Sequence, residues 1–539
     1  MPYLRYAPFV ITLLLLFASI SLWSHSLWWL LASLSLAALS ILGISDLTQT
    51  RSALRRNYPI TAHIRYLFEY LRPMLRQYIV EDDDEEVPFS FEQRSLVYQR
   101  AKQALETRAF GTEKNVYAEQ YEWINHSLQP SLIDSADFRV SIGGPHCKFP
   151  YSASVFNISA MSFGSLSPNA IRALNQGAKL GNFYHDTGEG SLSRYHQEHA
   201  GDVVWELGSG YFGARDAQGN FNPEAFVEKA TLAQVKMIEL KLSQGAKPGH
   251  GGVLPGSKVN SEIALTRGVP EGIDCISPAR HSAFSTPEQL LEFIAELREL
   301  SGGKPTGFKL AIGHPWEWFA IAKAMLSTGI TPDFIVVDGA EGGTGAAPLE
   351  FADHLGTPMR ESLMLVHNTL VGLNLRDKVK IGAAGKIITA FDIAKAIALG
   401  ADWCNSARGF MFALGCIQSQ SCHTDRCPTG IATQDPKRWR ALAVTDKAQR
   451  VANFQRNTLR ALQEVIAAAG LQHPNQLTPE HIIQRVDPVT VRSLGAQYPY
   501  LNPGDLLRPD YLPEHAVFQR FWRDSRADSF SFTPKPQGK

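Results

Sequence analysis

Cysteine is scarce in this sequence, with six residues among 539. They are too few and too unevenly spread for the disulfide framework of a secreted domain, so we expect a reducing compartment. An excess of one charge is absent as well, because Lys and Arg total 52 and Asp and Glu also total 52. Without a basic surface to neutralise phosphates, nucleic acid is not an expected partner.

Charged residues are missing from two apolar runs near the amino terminus, residues 7–23 and 27–44, of 17 and 18 residues. Each run is close to the lower limit for crossing a bilayer as a helix. Arg5 precedes the pair and Arg51 follows it, which favours both ends in the cytoplasm. We therefore predict a transmembrane hairpin in the inner (cytoplasmic) membrane, with the rest of the chain cytoplasmic. A cleaved signal peptide and a single tilted or interfacial element are the alternatives.

The remaining chain divides by composition. An acidic block, EDDDEE at residues 81–86, follows scattered arginines and aromatics, and we interpret it as a solvated linker. The predicted domains are a hairpin (1–45), a juxtamembrane segment and linker (46–86), a lead-in with helical character (87–150), a barrel (151–470), and a carboxyl-terminal extension and tail (471–539).

Short β-rich runs alternate with helical patterns beyond residue 150. Alternation of this kind predicts a parallel sheet, and eight runs favour a closed (β/α)8 TIM barrel of the α/β class over an open sheet. In a barrel all the strand ends that carry glycine lie on one face. The eight runs are VFNISAMSFGS, VVWELGSG, KMIELKLSQG, IDCISPA, GFKLAIG, FIVVDGAEGG, VKIGAAG and ADWCNSARG.

Two of these strand ends carry the pattern of a phosphate site. Gly385 and Lys386 precede one predicted helix, and Arg408 and Gly409 precede the next. Barrels often bind a phosphate between the loops after strands seven and eight, through backbone N–H groups at a helix start. Glycine that serves only a βα turn is the alternative.

The loop DGAEGGTGAAP, residues 338–348, has four glycines, among them Gly342 and Gly343 next to Thr344. Such a loop can lie flat under a planar ring, because few side chains hold the backbone away. It lacks the G-x-G-x-x-G register of a dinucleotide fold, so it does not indicate an NAD site. A mobile loop is the alternative.

Lys309 stands in GFKLAIG, an otherwise apolar strand. A lysine there requires an anion or a shifted pKa, unless it reaches solvent along the strand. Residues 246–259, AKPGHGGVLPGSKV, contain Lys247, His250 and Lys258 among many glycines and prolines. This segment predicts a substrate-facing loop or lid.

Three of the six cysteines lie close together, as Cys416, Cys422 and Cys427 in CIQSQSCHTDRCPTG. Three thiolates suit an iron–sulfur cluster or zinc and are poor ligands for magnesium or calcium. A zinc site would use His423 as its fourth ligand, although the usual Cys-x2-Cys pair is absent. Three independent buried thiols are the remaining alternative.

Together and in this order, these pieces resemble the FMN-binding synthase domain of glutamate synthase. The resemblance runs from about residue 90 to 507, through RSLVYQRAK, ISAMSFGSLS, DTGEGS, MIELKLSQGAKPGHGGVLPGSKV, DGAEGGTGAAP and CIQSQSCHTDRCPTGIATQ. It implies a barrel with FMN and a 3Fe-4S cluster. It also implies reduction of 2-iminoglutarate, made from 2-oxoglutarate and ammonia, to L-glutamate.

The resemblance also assigns roles to individual residues. Lys309, His250 and Lys247 would be catalytic, with Lys309 close to both the flavin and the 2-oxo acid. Each of the three clustered cysteines would ligate one iron. The residues that would bind FMN are Ser159, Ala160, Met161, Ser162, Lys309, Gly342, Gly343, Thr344, Gly385, Lys386, Arg408 and Gly409, the last four at its phosphate.

The sequence departs from the family in ways that affect substrate and partners. No amidotransferase domain precedes the barrel, so we expect ammonia or a separate amidotransferase as nitrogen source, and ferredoxin or a reductase subunit as external electron donor. The family's carboxyl-terminal β-helix is absent as well. His250 replaces a glutamate of the family's lid loop, which motivates an alternative: a related flavin and iron–sulfur oxidoreductase for another amino or oxo acid. A non-catalytic membrane electron relay is a third possibility.

Overall fold

The computed structural model describes residues 4–85 and 88–533. The chain forms two compact units, Met1–Phe91 and Glu92–Lys539. The predicted boundary between the acidic linker and the lead-in falls at Glu86 and Val87, outside the described residues.

Four α-helices make up most of the first unit: α1 (Ala7–Ile20), α2 (Leu27–Thr48), α3 (Ala53–Asn57) and α4 (Ala62–Leu75). Helices α1 and α2 lie against each other, and Ser33 Oγ donates a hydrogen bond of 3.0 Å to Ser19 Oγ. In the part of the chain that the structure describes, α2 alone is long and apolar enough to cross a membrane, and α1 is shorter. The two helices of the predicted hairpin are therefore present, and their membrane crossing stays a prediction.

The second unit contains a closed barrel of eight parallel strands, as the sequence predicts. Each strand pairs with the next in chain order and the last pairs with the first. The strands are β1 (Phe156–Ile158), β2 (His185–Asp186), β3 (Val203–Leu207), β4 (Val235–Lys241), β5 (Thr306–Leu310), β6 (Phe334–Asp338), β7 (Lys380–Ala384) and β8 (Trp403–Ser406).

One predicted strand is wrong and one barrel strand was missed. IDCISPA contributes Cys275–Ile276, which pairs antiparallel with Val253–Leu254 outside the barrel. The barrel strand that the sequence did not predict is β2, between β1 and β3, which is only two residues long and polar. A strand this short has no apolar alternation, so sequence patterning could not find it.

Helices follow each strand and cover the barrel. They are Pro168–Gly181, Arg194–Gln197, Pro223–Ala230, Pro287–Leu300, Pro315–Thr328, Met359–Gly372, Ala390–Ala398 and Arg408–Leu414. Thr286 caps the helix Pro287–Leu300, because its side chain accepts a hydrogen bond from the Gln289 N–H. Thr389 likewise begins its helix, in a reciprocal capping box with Asp392.

Outside the barrel, the lead-in carries the helix Phe91–Lys102 and the strands Glu122–Ile124, Arg139–Ile142 and Tyr151–Ser154. The long helix Val444–Ala468 packs against Pro168–Gly181. After it come the strands Ile482–Arg485 and Val491–Ser493 and the short helices Leu494–Gln497 and Ala516–Phe521.

Candidate active site

The carboxyl ends of four barrel strands carry the residues predicted to bind a cofactor. Ser159–Ser162 follow β1, Gly342–Thr344 follow β6 by a few residues, Gly385–Lys386 follow β7, and Arg408–Gly409 follow β8. Because parallel strands all end on one face of a barrel, these loops meet at one place. The structure thus brings the predicted cofactor residues to a single face.

Arg408 and its neighbours join three of these loops. Its Nη2 donates a 2.7 Å hydrogen bond to the carbonyl of Thr344, and a Cβ added at Gly343 would come within 3.1 Å of its Nε. The Ser159 N–H donates to the Ser406 carbonyl at 3.1 Å. The loops after β1, β6 and β8 therefore form one connected surface.

The loop after β7 turns sharply. Gly385 has a φ of +151° and Lys386 a φ of +50°, both outside the range that most L residues adopt. A side chain at Gly385 would also approach Met359 Cβ at 3.3 Å. Glycine is thus needed here for backbone conformation as well as for space, whether or not a phosphate binds.

The face is open above β5 and β6. A Cβ added at Gly313, after β5, or at Gly345, after β6, would meet no heavy atom within 4 Å. By contrast, Gly245 lies so close to the Gly339 carbonyl that a Cβ there would come within 1.9 Å of it. The rim loops are therefore tightly packed against one another, while space remains over two neighbouring strands.

Lys309 is buried inside the barrel and does not reach solvent, since it is only 3% exposed. Its Nζ forms an ion pair with Glu206 and lies 3.4 Å from Glu239 Oε1. Burial opposes the charge, but Glu206 and Glu239 raise the pKa of Lys309 well above its ordinary value. The structure therefore excludes the solvent-reaching alternative and holds this lysine charged.

Three carboxylates that were not predicted from the sequence lie around Lys309. Carboxylate oxygens of Asp186 on β2, Glu206 on β3 and Glu239 on β4 lie within 4.8 Å of one another. Burial and Glu206 raise the pKa of Asp186 to about 7, and burial and Asp186 raise that of Glu239 well above its usual range. We call these three residues and Lys309 the charged cluster. The sequence contained a signal for Glu206 and Glu239, because VVWELG and KMIELK each place a glutamate in an apolar strand, just as GFKLAIG places Lys309.

Lys247, in the lid loop, is fixed over the same face. It is buried, and its Nζ donates a 3.3 Å hydrogen bond to the Ala346 carbonyl. Burial lowers its pKa, against the opposing influence of Glu189. Glu189 in turn lies 3.3 Å from Lys241 Nζ. Burial raises the pKa of Glu189, but Lys241 and Arg267 outweigh burial and lower that pKa to about 2.

His250 has different partners from Lys309. Its Nδ1 lies 2.7 Å from the Gly251 carbonyl, and its ring meets Phe351 edge to face with centroids 5.2 Å apart. The charged cluster and His250 therefore share no partner. Lys247 and His250 both contact the segment that follows β6, at Ala346 and Phe351 respectively.

The three clustered cysteines lie in the irregular segment that follows the helix Arg408–Leu414. Arg408 Nη1 lies 3.8 Å from Cys422 Sγ, so this loop adjoins the loops after β6 and β8. The buried Lys258 anchors it by donating to the carbonyls of Cys422 at 2.8 Å and Ala432 at 3.2 Å. The lid and the cysteine loop are thereby linked.

The environments of the cysteines differ. Burial raises the pKa of the Cys416 thiol to about 11, and Cys422 and Cys427 reinforce the rise. At Cys427 burial is outweighed by backbone N–H donors from Ala432 and Thr429, which lower the pKa. The charge of each thiol thus affects the pKa of Cys416, and Arg408 lies beside Cys422.

The spacing of the sulfurs can be compared with that of ligands around a single zinc ion. Thiolates bound to one tetrahedral zinc at 2.3 Å are about 3.8 Å apart. Within residues 4–85 and 88–533, the only group of three or more ligand atoms within 4.8 Å of one another is Asp186, Glu206 and Glu239. As they stand, the cysteine sulfurs and the His423 ring nitrogens therefore form no such group, and the cluster, zinc and independent thiols stay open as alternatives.

Comparison with known proteins places the chain. Residues 106–472, more than half of it, match the family described as the conserved region in glutamate synthase. The chain is 38% identical over 483 residues to the glutamate synthase large subunit-like protein YerD of Bacillus subtilis, covering 82% of this chain and 91% of that protein. It is 35% identical over 353 residues to the archaeal glutamate synthase [NADPH] of Methanocaldococcus jannaschii, covering 65% of each.

Two further comparisons are more limited. The archaeal-type glutamate synthase [NADPH] of Thermotoga neapolitana is 37% identical over 314 residues, 58% of this chain and 59% of that protein. Among solved structures, a flavocytochrome b2 mutant with pyruvate bound aligns at 15% identity with a TM-score of 0.40, covering 82% of this chain and 89% of that one. The chain therefore belongs to the glutamate synthase family, whose enzymes are oxidoreductases acting on the CH–NH2 group of donors.

Proposed function

We propose that this chain is a membrane-anchored, FMN- and 3Fe-4S-dependent glutamate synthase that reduces 2-iminoglutarate to L-glutamate. The single observation that carries the proposal is the charged cluster. Burying an ionised lysine among carboxylates costs desolvation free energy, and such buried charged groups cluster at functional sites. Lys309 lies near the carboxyl end of β5, on the face where enzymes of this architecture carry out their chemistry.

The residues around that face fit FMN. Gly313 and Gly345 leave space for a ring, and the Ser159–Ser162 segment follows β1 on the same face. Gly385, Lys386, Arg408 and Gly409 would hold the phosphate, with Arg408 supplying the guanidinium charge. When bound, FMN supplies the hydride. Lys309 would neutralise negative charge that develops beside it, and Lys247 would close the lid over the face.

The cysteine loop fits an iron–sulfur cluster, because it supplies three thiol groups and thiolates are the usual ligands of such clusters. Cys416, Cys422 and Cys427 would each ligate one iron. When bound, the cluster supplies electrons from an external donor, either ferredoxin or a reductase subunit. Arg408, which contacts both Cys422 and the Thr344 carbonyl, would then stand between cluster and flavin phosphate.

The first unit supports anchoring in a membrane. Its α1–α2 contact buries Ser19 and Ser33, whereas large apolar side chains point outward, such as Phe17 at 74% and Trp28 at 80% exposure. Small polar residues between helices and large apolar residues outside are typical of helices packed within lipid. We propose that α1 and α2 cross the inner membrane, with the barrel in the cytoplasm.

The decisive experiment is anaerobic purification of the full chain, followed by turnover of the reduced protein with 2-oxoglutarate and ammonium. We expect flavin absorbance, an EPR signal of the cluster and formation of L-glutamate. Absence of flavin, or absence of glutamate from flavin-loaded protein, would contradict the proposal. Stimulation by a separate amidotransferase with glutamine would identify the nitrogen source.

Cys422→Ser tests the cluster separately. We expect loss of the EPR signal and of iron, with flavin retained, because the two sites use different residues. Cys147→Ser is the matched control, since that thiol is half-buried and donates to the Gly303 carbonyl, outside the cysteine loop. Equal iron content in both variants would exclude the cluster.

His250 favours the second candidate function, the same cofactors acting on another amino or oxo acid. If His250 selects the substrate, His250→Glu shifts preference toward 2-oxoglutarate, whereas the exposed His354→Glu leaves it unchanged. An unchanged response in both variants removes the reason for this candidate. A non-catalytic relay is less favoured, because electron transfer alone does not require Lys309 in the charged cluster.

A further inference from the structure

Helix α4 has two distinct faces. Ile64, Leu67, Phe68, Leu71 and Leu75 recur at intervals of three and four residues, which places them on one side. Most of this apolar face is uncovered, with Ile64 55%, Leu67 53% and Phe68 60% exposed. Arg65, Glu69, Arg72 and Arg76 fall on another side by the same periodicity.

The start of α4 is fixed to the end of α2. Asp46, in the last turn of α2 and 1% exposed, accepts a 3.0 Å hydrogen bond from the Ile60 N–H. Its carboxylate also lies 2.9 Å from His63 Nε2. Gly43 allows this close approach, because a Cβ there would meet the Phe9 ring at 2.3 Å and Ile60 at 3.3 Å. Helix α4 therefore begins at the level where α2 ends.

The segment around α4 is positively charged. Residues 51–80 contain six arginines, one glutamate and no other Asp, Glu or Lys, a net charge of 6 − 1 = +5. The acidic block begins immediately afterwards at Glu81. An apolar face can bind at the acyl boundary of a phospholipid surface, and arginines can bind its anionic headgroups.

We propose that α4 lies in the plane of an anionic phospholipid surface, with its apolar face at the acyl boundary and its arginines at the phosphates. The inference rests on the proposed membrane location of α1 and α2, because a helix fixed to the end of a membrane-crossing helix starts at the lipid surface. A helix of 14 residues is about 21 Å long and marginal in water by itself. Lipid contact would therefore order it.

Hydrogen exchange of the full chain in nanodiscs tests this. One disc contains phosphatidylcholine alone and the other contains phosphatidylcholine with phosphatidylglycerol. We expect peptides from residues 27–48 to be protected in both discs. Peptides from residues 62–75 should exchange at least about tenfold more slowly in the anionic disc than in the neutral one, because several arginines contribute together.

Matched variants isolate the apolar face. Phe68 is 60% and Tyr70 73% exposed, and helical periodicity places them on different sides of α4. Phe68→Ser should abolish the anion-dependent protection, whereas Tyr70→Ser should retain it. Equal exchange of residues 62–75 in both discs overturns the inference, as does protection that depends on protein concentration, which would indicate a second copy as the occupant. A chain that does not insert into discs at all contradicts the membrane location itself.

Discussion

In the barrel, large apolar side chains fill the interior, and the buried Lys309 is paired with carboxylates. In the first unit the buried residues include Ser19, Ser33, Ser40 and Asp46, and many large apolar side chains, such as Phe17 and Trp28, are outside. The same physical requirement explains both arrangements, because polar groups need partners wherever water is absent. The difference is what we expect if, as proposed above, the barrel is surrounded by water and α1 and α2 are surrounded by lipid.

The strongest way to disturb the barrel side of this comparison is Lys309→Met. It removes the only positive charge of the charged cluster, and we expect turnover to fall about 10²- to 10³-fold, the usual cost of losing one electrostatic stabiliser. The rate of glutamate formation with bound flavin measures it. Lys380→Met is the matched control, because Lys380 is a strand lysine at the amino end of β7, away from the carboxyl-end face. An equal loss of turnover in this variant would mean that the effect is on folding.

Asp186→Asn tests the charged cluster through pH. The pKa of Asp186 is raised to about 7 in the folded protein, so the folded state binds the proton more tightly than the unfolded state does. Stability therefore falls as pH rises from about 4 to about 7 and is level above that. The variant should reduce this fall by about 2 to 3 kcal/mol between pH 5 and pH 8, as measured by chemical denaturation at the two pH values. An unchanged slope would show that Asp186 is not the titrating group.

Asp46→Ala sharpens the comparison from the other side. The substitution leaves the Ile60 N–H and His63 without their buried acceptor, and we expect about 1 kcal/mol or more of lost stability. Faster hydrogen exchange at the start of α4 would locate the effect. Asp82→Ala is a control, because that carboxylate lies in the exposed acidic block.

The smallest expected effect is that of Ser33→Ala. Ser33 hydrogen-bonds to Ser19 across the two helices, and such bonds in membranes contribute about 0.6 kcal/mol on average. Ser35→Ala is matched, because Ser35 is exposed and its hydroxyl bonds only to the Leu31 carbonyl of its own helix. Equal stability of the two variants in lipid would show that the Ser33–Ser19 hydrogen bond does not stabilise the helix pair.

Patterning along the chain predicted the fold class and seven of the eight barrel strands. It also placed the cofactor loops on one face, because parallel strands leave no other option. It failed at His185–Asp186, where two polar residues form a strand only because β1 and β3 flank them. It likewise interpreted Lys309 alone and overlooked the carboxylates of Glu206 and Glu239.

What the sequence by itself determined is local: periodicity, caps, apolar runs and the spacing of three cysteines are properties of neighbouring residues. What only the tertiary structure decided is which distant groups share a site. Lys309 meets carboxylates from three other strands, and Asp46 holds a backbone N–H that is 14 positions away. Such contacts depend on barrel closure and helix packing, and the charge state of a buried group depends on those contacts rather than on its neighbours in the chain.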